Sequence, residues 1–415
     1  MKSRSSPSSF GSPQTYQLGG MYTLRYHDGR NADWGDLALT GARLALDEIR
    51  ASGLLGADHL EMRDENVVDY HCWPEGAERI AEDLFKRDIL AVTGVDCSDP
   101  AERIAKVAEH YRKPAISYGA NAASLSSPAE FPFFFRVVTP SSSYERYLVD
   151  VAAHYKLKRF ALFYTTEAWG LGACRVVQAA AREAGLEVVA EYGYPRDTPL
   201  EIVSRHVAAV KTGGIRTIFI TMPTPDTVIV FRALAELDMN RRGTAIFASE
   251  MISADEKPDA VSGALGYLAP MTKLSPSPKL DAFRGRLERT IARSVDQNSK
   301  AFSYAVLGYD HILAVGRALK NARDAGEQAI TGESLMAHLR RVDFEGASGR
   351  ISLSPGTNDR ALMAVEILNC RGYGEDGKTV RFVPVGGIDP LTGVLTLNES
   401  AIVWPGRTPT PPEAG

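Results

Sequence analysis

The sequence has little of what identifies the most easily recognised classes of protein. Cysteine is scarce, with four among 415 residues and no CxxC pair. Basic residues do not exceed acidic ones (47 against 51) and form no run, so neither nucleic acid nor an anionic membrane surface is an expected partner. No apolar stretch reaches the roughly 18 residues that cross a bilayer, so no transmembrane helix is predicted within the chain.

Catalytic and metal-binding motifs are missing as well. The eight histidines are scattered, and none lies in an HExxH motif or beside a cysteine at metal-ligand spacing. The GxSxG elbow of the α/β hydrolases and the GxxxxGK[ST] phosphate loop are both absent. These absences predict a protein that has no metal site, no cofactor and no enzymatic activity.

One fragment resembles a dinucleotide-binding turn. Gly170-Leu-Gly172-Ala-Cys-Arg175 opens a predicted helix after a strand, and Glu191 follows near the end of the next predicted strand. Arg175 stands where the third glycine of GxGxxG would allow close packing of the helix on the strand. A dinucleotide-dependent enzyme is therefore the least favoured interpretation.

What the sequence does have is a regular alternation of short β-rich runs and amphipathic helical stretches. This alternation predicts an α/β fold with parallel sheets covered by helices. The predicted strands lie at 21–26, 60–63, 89–93, 115–117, 159–164, 186–192, 217–221 and 244–248. The helices predicted between them lie at 37–50, 76–87, 100–111, 143–154, 172–184, 202–212 and 226–237. A largely helical stretch to about residue 342 and a β-rich end complete the chain.

The chain is about twice the length that one hydrophobic core serves, which predicts two lobes. Residues 131–140, bracketed by two prolines, are expected to cross between them as a hinge. The loops that leave the predicted strands are rich in Ser, Thr, Asn and Gly and poor in catalytic residue types. Because open α/β sheets bind ligands at these loops, the composition favours binding over catalysis.

Cys72 and Cys97 are the two cysteines that a helix and a strand separate. Cys72 precedes the predicted helix at 76–87, and Cys97 follows the next strand. The helix and the strand bring the chain back to the same edge of the sheet, so the two cysteines can lie close enough for a disulfide. Two unrelated thiols are the alternative. A bond would close a loop of about 25 residues, would stabilise the fold by roughly 3 to 4 kcal/mol and would indicate an oxidising compartment.

Five segments carry a family resemblance: WGDLALTGARLALDEI at 34–49, ISYGANAASLSS at 116–127, FRVV at 135–138, FSYAVLGYD at 302–310 and FEGASGRI at 344–351. They resemble landmarks of the type I periplasmic-binding-protein family, which includes branched-chain amino-acid and amide binding proteins and related ligand-binding regions of receptors. The resemblance implies two doubly wound Rossmann-like lobes, joined by a three-segment hinge with a ligand cleft between them. It also implies that Cys72 and Cys97 form the disulfide of the first lobe.

The resemblance also implies domain boundaries. Residues 1–19 are expected to be a disordered leader. The first lobe is expected to comprise 20–138 plus 268–343, and the second 139–267 plus 344–405. Residues 406–415 are expected to form a proline-rich tail.

On the first lobe, the resemblance implies that Ser98 and the loop of Gly119, Ala120 and Asn121 receive the polar head of the ligand, most simply a carboxylate. Hydroxyl and backbone N–H donors at strand ends and helix N-termini suit an anion. Trp34 matches an aromatic residue at the mouth of the cleft. Closure is then expected to follow binding on this lobe.

On the second lobe, Glu250 matches the acid that holds the α-ammonium group of amino-acid ligands. Thr166, Trp169 and Thr224 lie in loops expected to reach the ligand when the lobes close. Two departures leave the choice between an amino acid and an amide open. Asn121 stands where the family frequently has Thr or Ser, and the loop TMPTP at 221–225 lacks an aromatic residue.

The first interpretation is a solute-binding protein that closes on an amino acid or amide, for uptake through an ABC-type permease or for sensing. The alternative is the ligand-binding domain of a transmembrane receptor of the cyclase, kinase or class C type, expected to dimerise through the first lobe and to be fused to a signalling module. Residues 393–406 resemble the end of a receptor ectodomain. Both interpretations place the protein in the periplasm or outside the cell.

Overall fold

The computed structural model describes residues 12–27, 29–252, 257–361, 363–375, 377, 379–389 and 392–413. In the first part, strands and helices alternate as β1 (Thr15–Tyr22), α1 (Asp33–Ala51), β2 (His59–Glu61), β3 (Val67–Asp69), α2 (Ala77–Phe85), β4 (Ala91–Gly94), α3 (Ser98–Tyr111), β5 (Ala115–Ser117) and β6 (Phe134–Arg136). The second part comprises α4 (Ser142–His154), β7 (Arg159–Thr165), α5 (Ala168–Ala184), β8 (Glu187–Tyr194), α6 (Leu200–Thr212), β9 (Thr217–Thr221), α7 (Thr224–Glu236), β10 (Ala245–Ala248), α8 (Pro258–Ala264) and β11 (Leu268–Thr272). The chain continues as α9 (Pro278–Ile291), α10 (Lys300–Asp324), α11 (Gly332–Leu339), β12 (Phe344–Gly346), β13 (Gly349–Ile351), β14 (Val365–Tyr373), β15 (Val380–Ile388) and β16 (Leu395–Leu397).

Two large sheets organise these elements into two lobes. The first sheet has the order β2-β1-β4-β5-β6, with β3 also paired to β1, and its pairings are parallel. The second has the order β16-β15-β14-β11-β10-β9-β7-β8, parallel from β7 to β11 and antiparallel from β14 to β16. The predicted α/β fold with two doubly wound lobes is therefore confirmed. No helix in the described part of the chain is both long enough and apolar enough to cross a bilayer.

Helix α10 packs tightly along α1 in the first lobe, and two glycines allow this approach. A Cβ atom on Gly41 of α1 would lie 2.2 Å from the carbonyl oxygen of Ala305, and one on Gly308 of α10 would lie 2.5 Å from that of Ala38. Any side chain at either position would force the helices apart. The contact fixes the N-terminal end of α10 beside the N-terminal end of α1, at the edge of the cleft.

Two expected lobe boundaries are wrong. Residues 268–272 form β11, which pairs with β10 and β14 in the second sheet, so the second crossover follows residue 272 rather than residue 267. Residues 344–351 form the β12–β13 hairpin, which belongs to the first lobe instead of the second. Asp310 of α10 holds this hairpin, since its carboxylate accepts the backbone N–H groups of Ala347 and Ser348, each at 2.7 Å.

Both chain ends differ from expectation where they are described. The expected leader at 1–19 overlaps β1, which begins at Thr15, while residues 1–11 lie outside the described residues. The expected tail at 406–415 folds back on the second lobe as far as residue 413. The N–H of Trp404 donates to the carbonyl of Thr408 at 2.8 Å, and the buried Trp404 ring packs edge-on against Tyr155. Trp404 and Pro412 are buried, and the burial of their apolar surface stabilises the packing of this segment on the second lobe.

A buried arginine joins the first crossover, which follows β6, to the third, which leads from β13 to β14. Arg136, at the end of β6, donates from Nε to Oδ1 of Asp359 at 2.8 Å and from Nη1 to the carbonyls of Ala120 and Ala122. Its neighbour in the third crossover, Arg360, donates to the carbonyl of Val137 at 3.1 Å. A buried charge is stable when it is paired and hydrogen-bonded, and Arg136 has both an acidic partner in Asp359 and two carbonyl acceptors. The two crossovers are thereby fastened to each other at the hinge.

The disulfide between Cys72 and Cys97 is present, with the Cα atoms 5.5 Å apart. It ties the segment after β3 to the start of α3, on the cleft side of the first sheet. Cys174 and Cys370 are free thiols, and both are buried.

Alkylation of the unfolded chain tests this pairing. Without prior reduction, we expect peptide mass mapping to find label on Cys174 and Cys370 only, because a disulfide does not react with the reagent. Reduction before unfolding should label all four cysteines and lower the free energy of unfolding by about 3 kcal/mol. Label on Cys72 in unreduced protein would contradict the assignment.

Glu145 of α4 is a buried acid that contributes to the pH dependence of stability. Its side chain is 0% exposed, and the Ser249 hydroxyl and the Glu145 backbone N–H offset the effect of that burial on its pKa only in part. Burial raises the pKa of Glu145 to about 8. The folded protein therefore holds a proton on this group that the unfolded chain releases near its ordinary, lower pKa.

The replacement Glu145→Gln should remove this dependence. In the parent protein the contribution of Glu145 is intact below the unfolded-state pKa and is lost as the pH rises towards 8, by up to about 1.4 kcal/mol per pH unit. The variant should match the parent at pH 4 and exceed it in chemical denaturation at pH 8. Glu183→Gln, on an exposed residue of α5, is the control and should leave the pH profile unchanged. Parallel profiles for Glu145→Gln and the parent would refute the raised pKa.

Candidate functional site

A cleft runs between the lobes at the carboxyl ends of the strands, where open α/β sheets bind ligands. Its cavity volume is about 60 Å³. Loops and helix ends of both lobes line it: Tyr26, Trp34, Cys72, Asp96, Cys97, Ser98, Asp99, Gly119, Asn121, Trp169, Arg196, Pro223, Thr224, Pro225, Glu250, Lys300 and Tyr304. Seven of the nine ligand-binding residues expected from the sequence are among them.

The other two expected residues, Ala120 and Thr166, do not line the cleft. Ala120 is fully buried, and its N–H donates to the hydroxyl of Ser117 at 2.9 Å. Thr166 is exposed, and both its N–H and its hydroxyl donate to the carbonyl of Tyr194, at 2.8 and 3.3 Å. Thr166 follows the end of β7 and continues the pairing with β8, which turns its side chain away from the cavity.

On the first lobe, several of the donors expected to meet the ligand are already engaged. The hydroxyl of Ser117 accepts the N–H of Gly119 at 3.2 Å as well as that of Ala120. The hydroxyl of Ser98, at the start of α3, accepts the N–H of Ala122 at 3.0 Å. These bonds hold the loop in shape, and the Ser98 hydroxyl keeps its own proton for donation.

Asp96 lies beneath this loop and organises it. Its carboxylate accepts the N–H of Thr23 at 3.0 Å, the hydroxyl of Thr23 at 2.7 Å and that of Tyr118 at 2.8 Å, and it also accepts the hydroxyl of Tyr70. Burial raises the pKa of Asp96, and the hydrogen bonds from Tyr70 and Thr23 oppose that rise. These partners come from the segments that follow β1, β3 and β5, so one acid joins three loops of the cleft.

On the second lobe, Glu250 follows β10, as expected, but it is not free. Its Oε2 accepts the hydroxyl of Thr224 at 3.1 Å and is bonded directly to the ammonium group of Lys300. The side chains of Glu250 and Lys300 are each 18% exposed. Lys300 belongs to α10 of the first lobe, so this ion pair crosses the cleft.

Aromatic rings surround the Lys300 ammonium group on the first-lobe side. It lies 5.4 Å from the ring centres of both Trp34 and Tyr304, which is within the range of cation–π attraction. Burial by itself lowers the pKa of Lys300, but the charge of Glu250, the hydrogen bond to it and the nearby Tyr304 and Tyr26 together raise that pKa above its usual value. Lys300 is therefore protonated throughout the physiological range.

Sequence reasoning missed Lys300, although one local signal was available. Lys300 occupies the first turn of α10, where no acid is present. A cation there opposes the helix dipole, which favours negative charge at a helix N-terminus. An unfavourable lysine in that position indicates a partner elsewhere in the fold.

Trp169 closes the cleft from the second lobe. Its indole Nε1 donates to Oδ1 of Asn121 at 2.8 Å, and its backbone N–H donates to Oδ1 of Asp99 at 3.1 Å. Burial raises the pKa of Asp99 to about 6, although the N–H of Trp169 and the charge of Arg196 oppose the rise. The lobes of this structure are thus closed on each other.

Arg196 forms the rim of the second lobe and was also missed from the sequence. It pairs with Asp226 at 3.5 Å, with both side chains 6% exposed, and its Nη1 reaches the carbonyl of Cys72 on the first lobe at 3.4 Å. Next to it, Asp197 meets His27 of the first lobe at 3.1 Å. Polar contacts between the lobes therefore extend from the cavity to its edge.

The dinucleotide-like fragment has a packing explanation. A Cβ atom on Gly170 would lie 2.1 Å from Oγ1 of Thr165, so the glycine permits the first turn of α5 to contact the end of β7. Gly172 has open space around it. Within the described ranges, no three His, Cys, Asp or Glu side chains are placed to hold a metal ion.

The replacement Trp169→Phe tests the closing contact. It removes the indole N–H but keeps an aromatic ring and the backbone bond to Asp99, so we expect a loss of about 1 kcal/mol from the closed form. That loss shifts the open-to-closed ratio roughly fivefold towards the open form. Small-angle X-ray scattering should report a larger radius of gyration. Tyr192→Phe, remote from the cleft, should scatter like the parent, and equal radii for all three proteins would refute the contact.

Comparison with known proteins agrees with the architecture. The receptor family ligand binding region matches residues 37–372. A metabotropic glutamate receptor-like protein E of Dictyostelium discoideum is 23% identical over 338 residues, covering 79% of this chain and 40% of that protein. The γ-aminobutyric acid type B receptor subunit 1 of Caenorhabditis elegans is 24% identical over 205 residues, covering 48% of this chain and 22% of the relative. A glutamate [NMDA] receptor subunit 1 of Drosophila persimilis is 20% identical over 318 residues, covering 73% and 28%.

The chain thus spans at most 40% of the length of these relatives. These relatives are named as receptor subunits or as a receptor-like protein, which fits the receptor alternative better than ABC-type uptake. Because the family match covers residues 37–372, most of the chain, this chain belongs to the receptor family ligand binding region, of the type I periplasmic-binding-protein kind.

Proposed function

We propose that this chain is the extracellular ligand-binding region of a membrane receptor, which closes on a small polar ligand of the amino-acid or amide class. The observation that carries the proposal is the cleft itself, because its lining comes from both lobes and polar contacts bridge it. Such a cavity can change volume only when the lobes move. A ligand that contacts both lobes then shifts the population towards the closed form.

The mechanism follows from the placement of the side chains. In the open form, Ser98 and Asn121 of the first lobe are accessible to a ligand. Closure brings Trp169, Thr224 and Glu250 of the second lobe onto it. Only the contacts that form on closure bias the equilibrium, and no covalent chemistry is needed.

The relatives support the receptor role and the class of ligand. Their names refer to glutamate and γ-aminobutyric acid, and they describe receptor subunits and a receptor-like protein. The uptake interpretation has no comparable support. A fused transmembrane signalling module is therefore the expected partner, and an ABC permease is not.

The disulfide supports an extracellular location, since such bonds persist in oxidising environments. Dimerisation through the first lobe stays a prediction. The large hydrophobic side chains exposed among the described residues are Ile202 and Val394, and both belong to the second lobe. A first-lobe dimer would therefore rest on polar and partly buried groups.

A thermal-shift screen against amino acids, amides and ureas tests the proposal. A ligand present at about 100 times its Kd should raise the free energy of unfolding by about 2.7 kcal/mol. The cleft variant Thr224→Val should weaken any hit roughly fivefold, because it removes a hydroxyl from the wall. Thr212→Val makes the same change on an exposed face of α6 and should leave affinity intact. If no compound raises the melting temperature, the proposed function fails.

A further inference from the structure

The acid expected to hold the ammonium group of an amino acid is neutralised from within the protein. Glu250 of the second lobe is bonded to Lys300 of the first, and Thr224 supplies a further hydrogen bond at 3.1 Å. With 18% of each side chain exposed, the pair is only weakly screened by solvent. A ligand ammonium group would have to displace Lys300 to reach this carboxylate.

The surroundings of Lys300 match those that proteins use for an organic ammonium ion. A carboxylate lies on one side, and the rings of Trp34 and Tyr304 lie on the other at 5.4 Å. Charge-assisted hydrogen bonds and cation–π contacts are the two interactions that recognise such ions. The ammonium group of Lys300 itself lies between the Glu250 carboxylate and these two rings.

The remaining charges of the cleft also disfavour a ligand carboxylate. Arg196, the other cation on the wall, is paired with Asp226. Asp99 adds an acid at the wall, and the N–H groups of Gly119 and Ala120 donate to Ser117. An anionic head would meet repulsion from Asp99 and few open donors.

We propose that Lys300 is an intramolecular substitute for the ammonium group of a ligand, and that the cleft selects a small uncharged ligand of the carboxamide type over α-amino acids. This inference rests on the proposed function and narrows its ligand class. A carboxamide donates and accepts hydrogen bonds without net charge, so it can pair with the Ser98 hydroxyl and the Asn121 amide on the wall. Its NH₂ group can also donate to Asp99, whereas a carboxylate cannot.

Ligands that share a carbon skeleton test the selection. We would titrate the full-length protein by calorimetry at neutral pH with propionamide, propionate and alanine. A second set would carry the same three functional groups on a longer aliphatic skeleton. We expect the amide to bind at least about tenfold more tightly than the amino acid and the carboxylate. Tighter binding of the amino acid would overturn this inference and leave the proposed receptor function standing. If no amide, acid or amino acid binds, the proposed function fails and takes this inference with it.

The variant Lys300→Met tests the role of the lysine. It keeps an unbranched side chain, removes the ammonium group and leaves Glu250 open, so the preference should move at least about tenfold from propionamide towards alanine. Lys320→Met is the matched control, since Lys320 lies on the same helix and pairs at the surface with Asp324 of that helix. If Lys300→Met kept the ligand preference of the parent, the proposal that Lys300 replaces a ligand ammonium group would be refuted. If that variant does not fold, the comparison of ligands on the parent chain still decides the question.

Discussion

The buried carboxylate of Asp96 is the constraint on which the ligand-facing half of the first lobe depends. A charge without water is stable only when hydrogen-bond donors replace its hydration shell, and here they come from Thr23, Tyr70 and Tyr118. Each donor lies in a different loop, so satisfying one acid positions three strand ends together. Cys97, which forms the disulfide with Cys72, and Ser98 follow Asp96 directly in the sequence, so the position of Asp96 also fixes theirs.

The contacts between the lobes are of a different kind. They comprise one largely buried ion pair, Glu250 with Lys300, and single polar contacts such as Trp169 with Asn121 and Asp197 with His27. The single polar contacts typically contribute about 1 kcal/mol each or less. The packed interior of each lobe keeps the lobe in one shape, whereas the contacts between the lobes can break and allow the lobes to separate. A ligand can shift the balance between open and closed forms only because that balance is small.

The fold was largely predictable because the elements carry local patterns. The strand at 115–117 was predicted to the residue, and so was the strand at 217–221, since each is a short apolar run between a helix and a turn. The strand at 268–272 was not predicted. Its membership in the second sheet depends on pairing with β14, almost a hundred residues later, and no local pattern reports such a partner.

The candidate site was predictable only in part, for the same reason. Glu250, Trp169 and Asn121 could be placed at the cleft because each follows a strand, and strand ends converge. The ion pair between Glu250 and Lys300 could not be foreseen, because it joins groups from different lobes and depends on the packing of α10 against α1. Thr166 was misplaced because the bonds to Tyr194 that turn it away from the cavity involve another strand.

The docking of the C-terminal segment has a mechanical consequence. Trp404 is buried against Tyr155, and its N–H is bonded to Thr408, so residues up to 413 form part of the second lobe. Because this segment is packed on the second lobe, any change in the angle between the lobes would carry residue 413 with it, far from the cavity.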